Sequence, residues 1–191
     1  MKVENKKLIF EKVQKFVERT CVRNDKGYAK EWLSHLSLVS TNAVQLAEKL
    51  NANKEIVFLA AWFHDIGTIT HGKRDHHITG SEIAEKKLKK LNYPQNKIEQ
   101  IKHCIFSHRA SQNIKRETIE AQILADADSM AHFDNVKGLF EAELVFNNIS
   151  KDSNLAKDKV KQKLIRSWSK LSPEAKDFVR DKHINLMNLI Q

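Results

Sequence analysis

The apolar residues of this chain recur every three or four positions over most of its length, which is the period of a helix rather than of a strand. In residues 30–50, for example, Trp32, Leu36, Val39, Ala43 and Leu46 keep this spacing. The 191 residues include only five glycines and two prolines, and this scarcity disfavours a turn-rich β fold. We therefore expect an all-α protein.

Helical periodicity continues along the chain without a low-complexity linker, which predicts one domain. The predicted helices cover residues 5–20, 30–50, 54–66, 79–91, 95–109 and 117–134, and three more amphipathic helices lie between 138 and 190. Gly67 is expected to end the third helix. Polar residues 70–77 predict a loop, and a capping box from Thr79 to Glu82 is expected to open the next helix.

The formal net charge of +9 is spread along the chain, which is typical of a solubilising lysine-rich surface. No aromatic residues are interleaved with basic ones in the manner of a nucleic-acid-binding motif, so a nucleic-acid partner is disfavoured. The longest apolar run, Ile56 to Phe63, is too short to cross a membrane, and the N-terminal residues lack the apolar core of a secretory signal. Cys21 and Cys104 form no CxxC pair. We expect a reduced, cytoplasmic protein without a membrane partner.

Three of the nine histidines fall on faces that are expected to point into the core. His108 continues the apolar stripe of its helix, His35 lies beside Leu36, and His64 follows Ala61 by three residues in the most apolar helix. Asp65 follows His64 directly. A buried carboxylate needs a cation, and several imidazoles cannot cheaply share a dry interior. A divalent metal satisfies both, because it takes imidazole nitrogen and carboxylate oxygen together.

A second acidic pair occurs in the segment ILADADSM, where Asp126 and Asp128 stand among apolar residues. The helical period puts Asp128 toward the inner side and Asp126 nearer the edge.

This ordered set of residues resembles the HD domain superfamily of metal-dependent phosphohydrolases. The matching positions are His35, the His64–Asp65 pair, and Asp128 in ADSM. The resemblance covers residues of roughly 30 to 135. It implies one all-α HD-type helical bundle over residues 1–191, with the metal-site core at about 30–135 and C-terminal helices 138–191 packing on it.

The resemblance also extends to family members with a second metal. In those members one further ligand is a histidine that opens the helix after the His-Asp pair, and another is a histidine later in a helix. The segment HHITGSEIA resembles the first position, which implies His76 as the ligand and His77 as the alternative. The segment CIFSH resembles the second position, which implies His108. The implied first ion is held by His35, His64, Asp65 and Asp128. His76 and His108, with Asp65 bridging, would hold the second, so one or two ions are expected.

The chain departs from some di-metal subfamilies at Thr68, where they have a lysine, and it has no GYP motif. A cyclic di-GMP phosphodiesterase is therefore disfavoured. Lys73, Arg74 and Arg109 neighbour the implied ligands and are the candidates for binding phosphate.

The expected reaction is hydrolysis of a phosphoester or phosphoanhydride in a small phosphorylated substrate, in particular a nucleotide, by metal-activated water. Either Asp65 or Asp126 is the general base. Mixed nitrogen and oxygen ligands favour Mn, Fe, Co, Ni or Zn over Mg. Two alternatives stay open: an HD-type di-iron oxygenase, and a non-catalytic metal- or nucleotide-binding sensor. A basic helical nucleic-acid binder ranks last, and the oligomeric state is unknown.

Overall fold

The computed structural model describes residues 3–24, 27–109, 114–147 and 154–189. These residues form helices and connecting segments, and none of them lies in a β-strand. The helices are α1 Val3–Arg23, α2 Ala29–Lys49, α3 Lys54–Phe63, α4 Ile66–His71, α5 His76–Lys90, α6 Gln95–Ser107, α7 Ile119–Asp134, α8 Val136–Asn147, α9 Asn154–Lys170 and α10 Pro173–Leu189. The prediction of an all-α bundle is confirmed.

Capping residues explain where two of the helices begin. The Asn53 side chain accepts hydrogen bonds from the backbone N–H groups of Glu55 and Ile56, at 3.1 and 3.3 Å, and so caps α3. Pro173 occupies the first position of α10, where its missing N–H costs nothing. Ser172 supplies an N-cap oxygen there to the N–H of Ala175, at 3.2 Å.

The predicted boundaries are wrong between residues 64 and 79. Gly67 does not stop a helix but lies inside α4, which covers part of the expected loop. Helix α5 begins at His76, so Thr79 lies within its first turn and is not its cap. The hydroxyl of Thr79 instead donates to the carbonyl of Asp75, at 3.2 Å.

The chain divides into two compact units, Met1–Ala125 and Asp126–Gln191, with the boundary inside α7. In the first unit α3 packs on α2 and α6, and α5 packs on α4 and α6. Residues of α3 such as Ile56, Leu59 and Phe63 are fully buried, so this helix is central to the unit's core. The prediction of a single domain over residues 1–191 stays a prediction.

In the second unit α8 packs on α9, and α9 on α10. The ring of His183 stacks on Trp168 with a centroid separation of 3.9 Å and is only partly exposed. No helix in the described ranges is both long enough and apolar enough for a membrane crossing.

Candidate metal centre

Five of the predicted site residues are brought together by four segments of the first unit. His35 lies in α2, and His64 and Asp65 connect α3 to α4. His76 opens α5, and His108 directly follows α6. Because α3 packs on both α2 and α6, and α4 packs on α5, these segments converge.

One group of three possible ligands consists of His35, His64 and Asp65. The Nε2 atoms of His35 and His64 are 3.3 Å apart. The Oδ2 atom of Asp65 lies 3.4 Å from His64 Nε2 and 3.7 Å from His35 Nε2. His64 is fully buried, and the other two side chains are partly exposed. The group is therefore partly accessible to solvent, through the side chains of His35 and Asp65.

A second group consists of Asp65, His76 and His108. The Nε2 atoms of His76 and His108 are 3.3 Å apart, and the Oδ1 atom of Asp65 lies 4.0 Å from His76 Nε2. Asp65 therefore turns one carboxylate oxygen toward each group. A carboxylate can serve two cations in this way, whereas a neutral imidazole offers one lone pair.

Backbone carbonyls fix the tautomers of three of these histidines. The Nδ1 atoms lie within hydrogen-bonding distance of the carbonyl three residues earlier: His64 to Ala61 O at 2.8 Å, His76 to Lys73 O at 2.9 Å, and His108 to Ile105 O at 2.5 Å. Because a carbonyl oxygen only accepts, each Nδ1 carries the ring proton, and Nε2 of the neutral ring presents its lone pair. This hydrogen bond is typical of histidines that bind metals.

The donor set fits a divalent ion. Ligand atoms about 2.1 Å from a tetrahedrally coordinated ion are about 3.4 Å apart. The separations of 3.3, 3.4 and 3.7 Å in the first group are close to that spacing. In the second group the Nε2 lone pairs of His76 and His108 face one another across 3.3 Å beside a carboxylate, and a cation would stabilise this arrangement. Nitrogen and oxygen together suit a transition metal.

Gly67 and Thr68 position Asp65. A Cβ atom at Gly67 would lie 2.2 Å from the carbonyl oxygen of His76, so only glycine allows α4 to approach the first turn of α5 this closely. The Thr68 hydroxyl donates a hydrogen bond of 3.0 Å to Oδ1 of Asp65. The spacing of Thr68 from Asp65, one helical turn, is the signal in the sequence that could have predicted this contact.

The cationic candidates lie beside the second group. Nη1 of Arg109 donates to the carbonyl of Arg74 and lies 3.3 Å from Nδ1 of His77. Burial first, and then the charge of Arg109, hold the pKa of His77 below its ordinary value, so the ring is neutral and accepts from the guanidinium. His76 thus faces the metal ligands, while His77 faces Arg109. Lys73 and Arg74 are exposed in the segment before α5, and their contact with a substrate stays a prediction.

Asp126 and Asp128 lie in the second unit. Asp126 is only 2% exposed and accepts a hydrogen bond of 3.1 Å from the backbone N–H of Ser172, whereas Asp128 is partly exposed. The prediction that Asp128 is more buried than Asp126 is wrong. Buried residues occur on all sides of α7, so the spacing of its apolar residues does not show which aspartate is more buried. Their roles as general base and metal ligand stay predictions.

Comparison with known proteins adds the family. A relative from Clostridium beijerinckii, described as an uncharacterized protein, is 32% identical over 111 residues, which cover 56% of this chain and 68% of that protein. An HD-superfamily hydrolase from Bacillus thuringiensis has a similar fold, with a TM-score of 0.72 and 19% identity over 97% of this chain and 94% of that one. YpgQ from Bacillus subtilis, solved in complex with ADP, has a TM-score of 0.71 and 20% identity over 97% and 93%. The HD domain family model matches residues 32–132, which include all five clustered side chains. The chain therefore belongs to the HD domain family.

Proposed function

We propose that the protein is a metal-dependent phosphohydrolase that acts on a nucleotide or a related phosphoester or phosphoanhydride. The observation that carries the proposal is the position of Asp65 between two histidine pairs, with one carboxylate oxygen toward each. The hydrolase fold shared with the Bacillus thuringiensis protein supports the reaction class. The ADP bound to YpgQ supports a nucleotide as the substrate.

In the proposed assignment His35, His64, Asp65 and Asp128 hold a first ion. His76 and His108 hold a second, and Asp65 bridges the two. When bound, a divalent ion supplies a water of lowered pKa as the nucleophile and offsets the negative charge of the phosphate. The nitrogen-rich donor set favours Mn, Fe, Co, Ni or Zn over Mg.

The other residues of the site have positioning and charge-neutralising roles in this proposal. Thr68 orients the bridging carboxylate through its hydroxyl. The carbonyl of Arg74 and the ring of His77 hold Nη1 of Arg109, and the proposal assigns the charge of this guanidinium to the phosphate oxygens. Lys73 and Arg74 add positive charge at the exposed side of the site. Either Asp65 or Asp126 takes the proton from the attacking water.

The activity test is the release of inorganic phosphate from a panel of nucleoside mono-, di- and triphosphates, with each divalent metal added in turn. The proposal expects turnover that requires metal and is lost in His64→Ala. A matched control is His71→Ala, because His71 is exposed and belongs to neither ligand group. Silence across the panel with full metal occupancy would instead favour a binding module.

Elemental analysis of the same variants tests the ligand assignment separately from activity. His64→Ala should lose metal from the first position, and His108→Ala should retain about half of the wild-type content if two ions are bound. Wild-type metal content in both variants would refute the assignment. Loss of metal in His71→Ala would show that the method reports on surface histidines.

A further inference from the structure

One face of α1 carries four cationic side chains in successive turns: Lys12, Lys15, Arg19 and Arg23. Residues three and four apart are neighbours on a helix, and like charges at these spacings repel. All four side chains are exposed. Each repulsive pair within the stripe lowers the stability of the helix.

Helix α5 completes this stripe with a fifth cation, Lys87, which is separated from it by more than sixty residues of sequence. Together the five cations and Phe16 line a cavity of about 270 Å³. The ammonium group of Lys87 lies 4.5 Å from the centroid of the Phe16 ring. Burial, followed by the charges of Lys90, Arg19 and Lys12, lowers the pKa of Lys87. The cations therefore affect one another across the cavity.

Of the described carboxylates, Glu11 and Glu18 lie one helical turn from Lys15 on α1, outside the lining of the cavity. None of the residues that line the cavity is acidic, and none of its five cations forms an ion pair with a described carboxylate. Lysines elsewhere in the first unit differ in this respect. Lys97 pairs with Glu55, and Lys102 pairs with Glu85.

The cavity is separate from the candidate metal centre. His76 and Lys87 are eleven residues apart in α5, which corresponds to roughly 16 Å along the helix axis. The two sites thus lie toward opposite ends of the same helix, and an anion in the cavity would not contact the metal ligands.

We propose that this cavity, here named the α1–α5 cavity, binds a small molecule that carries a chain of two or three phosphate groups. Such a chain concentrates several negative charges in a volume that a cavity of this size can hold. Arg19 and Arg23 offer planar forks that match pairs of phosphate oxygens, and the lysines add point charges. A nucleic acid is disfavoured, because the partly buried ring of Phe16 lies under Lys87 and is not presented for stacking on bases.

The test is calorimetric titration of the whole 191-residue chain with inorganic tripolyphosphate and with pyrophosphate. The variant Lys15→Ala/Arg19→Ala should bind tripolyphosphate at least about ten-fold more weakly than the wild type, because each charge-assisted hydrogen bond contributes about a factor of ten. The matched control, Lys7→Ala/Lys86→Ala, removes two exposed charges from the same helices outside the cavity and should change affinity less than two-fold.

The remaining measurements separate the cavity from other anion sites. His64→Ala should retain tripolyphosphate binding, and amide NMR shifts should change around Arg19 and Lys87. If both double variants bind tripolyphosphate equally weakly, the loss of affinity reflects only the lower net charge of the protein, and the proposal is overturned. Loss of binding in His64→Ala with retention in Lys15→Ala/Arg19→Ala would place the anion at the metal centre instead. Tighter binding of a short single-stranded RNA than of tripolyphosphate would also overturn it, in favour of a nucleic-acid surface.

Discussion

The carboxylate of Glu55 joins three parts of the first unit. Its Oε1 accepts a hydrogen bond of 2.5 Å from the hydroxyl of Tyr93, which precedes α6. Its Oε2 lies 2.7 Å from Nζ of Lys97 in α6 and 3.0 Å from Nζ of Lys6 in α1. The Glu55 side chain is 9% exposed, so water screens it poorly. Replacement by alanine should therefore be costly.

The magnitude follows from the exposure of the partners. Tyr93 is 4% exposed, so Tyr93→Phe should lower the free energy of unfolding by about 2 kcal/mol, the value of a hydrogen bond to a buried charge. Lys97 and Lys6 are 25% and 38% exposed, and each adds less than about 1 kcal/mol after solvent screening. We expect about 3 kcal/mol for Glu55→Ala, and about 2 kcal/mol of coupling between the two substitutions in a double-mutant cycle.

The pH dependence has a defined sign. Burial raises the pKa of Glu55, but hydrogen bonds from Lys97, Tyr93 and Lys6 outweigh it and hold the pKa below the ordinary value of 4.5. A depressed carboxyl pKa stabilises the fold fully above the unfolded value, and this contribution is lost as the pH falls through the folded value. The advantage of the wild type over Glu55→Ala should therefore be constant near neutrality and shrink below about pH 4.5.

Urea unfolding followed by tryptophan fluorescence measures these differences. The matched control is Glu85→Ala. Glu85 also pairs with two lysines, Lys89 at 2.7 Å and Lys102 at 2.6 Å, but it is 24% exposed. Its loss should cost less than about 1 kcal/mol. Equal losses for Glu55→Ala and Glu85→Ala would refute the argument that burial sets the strength of the network.

Three further substitutions or measurements test the packing around the site. Gly67→Ala should destabilise the protein by about 2 kcal/mol and weaken metal binding, because the added Cβ would lie 2.2 Å from the backbone carbonyl oxygen of His76. The control is Gly80→Ala, whose Cβ would have its nearest contact at 3.4 Å. In thermal unfolding this control should cost less than about 1 kcal/mol. Thr68→Val should weaken metal affinity about ten-fold in a calorimetric titration, because Asp65 loses a hydrogen bond of 3.0 Å, and Thr68→Ser should restore it. Burial raises the pKa of Cys104 to about 12, so its thiol should not react with Ellman's reagent at pH 8 until urea unfolds the protein, and reaction at the native rate of an exposed thiol would contradict this.

Four of the five clustered side chains could be predicted from local patterns, whereas His76 was implied only by the family resemblance. His35 and His108 continue apolar stripes, and His64 with Asp65 ends the most apolar segment. The predicted order of burial of Asp126 and Asp128 was wrong, because a helix with buried residues on all sides has no single inner face.

Contacts between distant segments could not be predicted from one sequence. Gly67 reads locally as a helix terminator, and only the approach of α5 shows why a side chain is excluded there. Lys87 and Arg19 look like ordinary solvated charges until the fold brings them to one cavity. The hydrogen bond between Glu55 and Tyr93 spans thirty-eight residues without any periodic pattern.

The carbonyl groups that hold His64, His76 and His108 preset these rings before any ion arrives. Little rotational entropy then remains to be lost on binding, so the site is preorganised for a cation. The ion-free fold, in turn, carries electrostatic frustration, because Nε2 atoms of like polarity are held 3.3 Å apart. Replacing one of these rings with an apolar side chain of similar size should therefore stabilise the ion-free protein and abolish the site. Functional sites commonly lower the stability of a protein in this way.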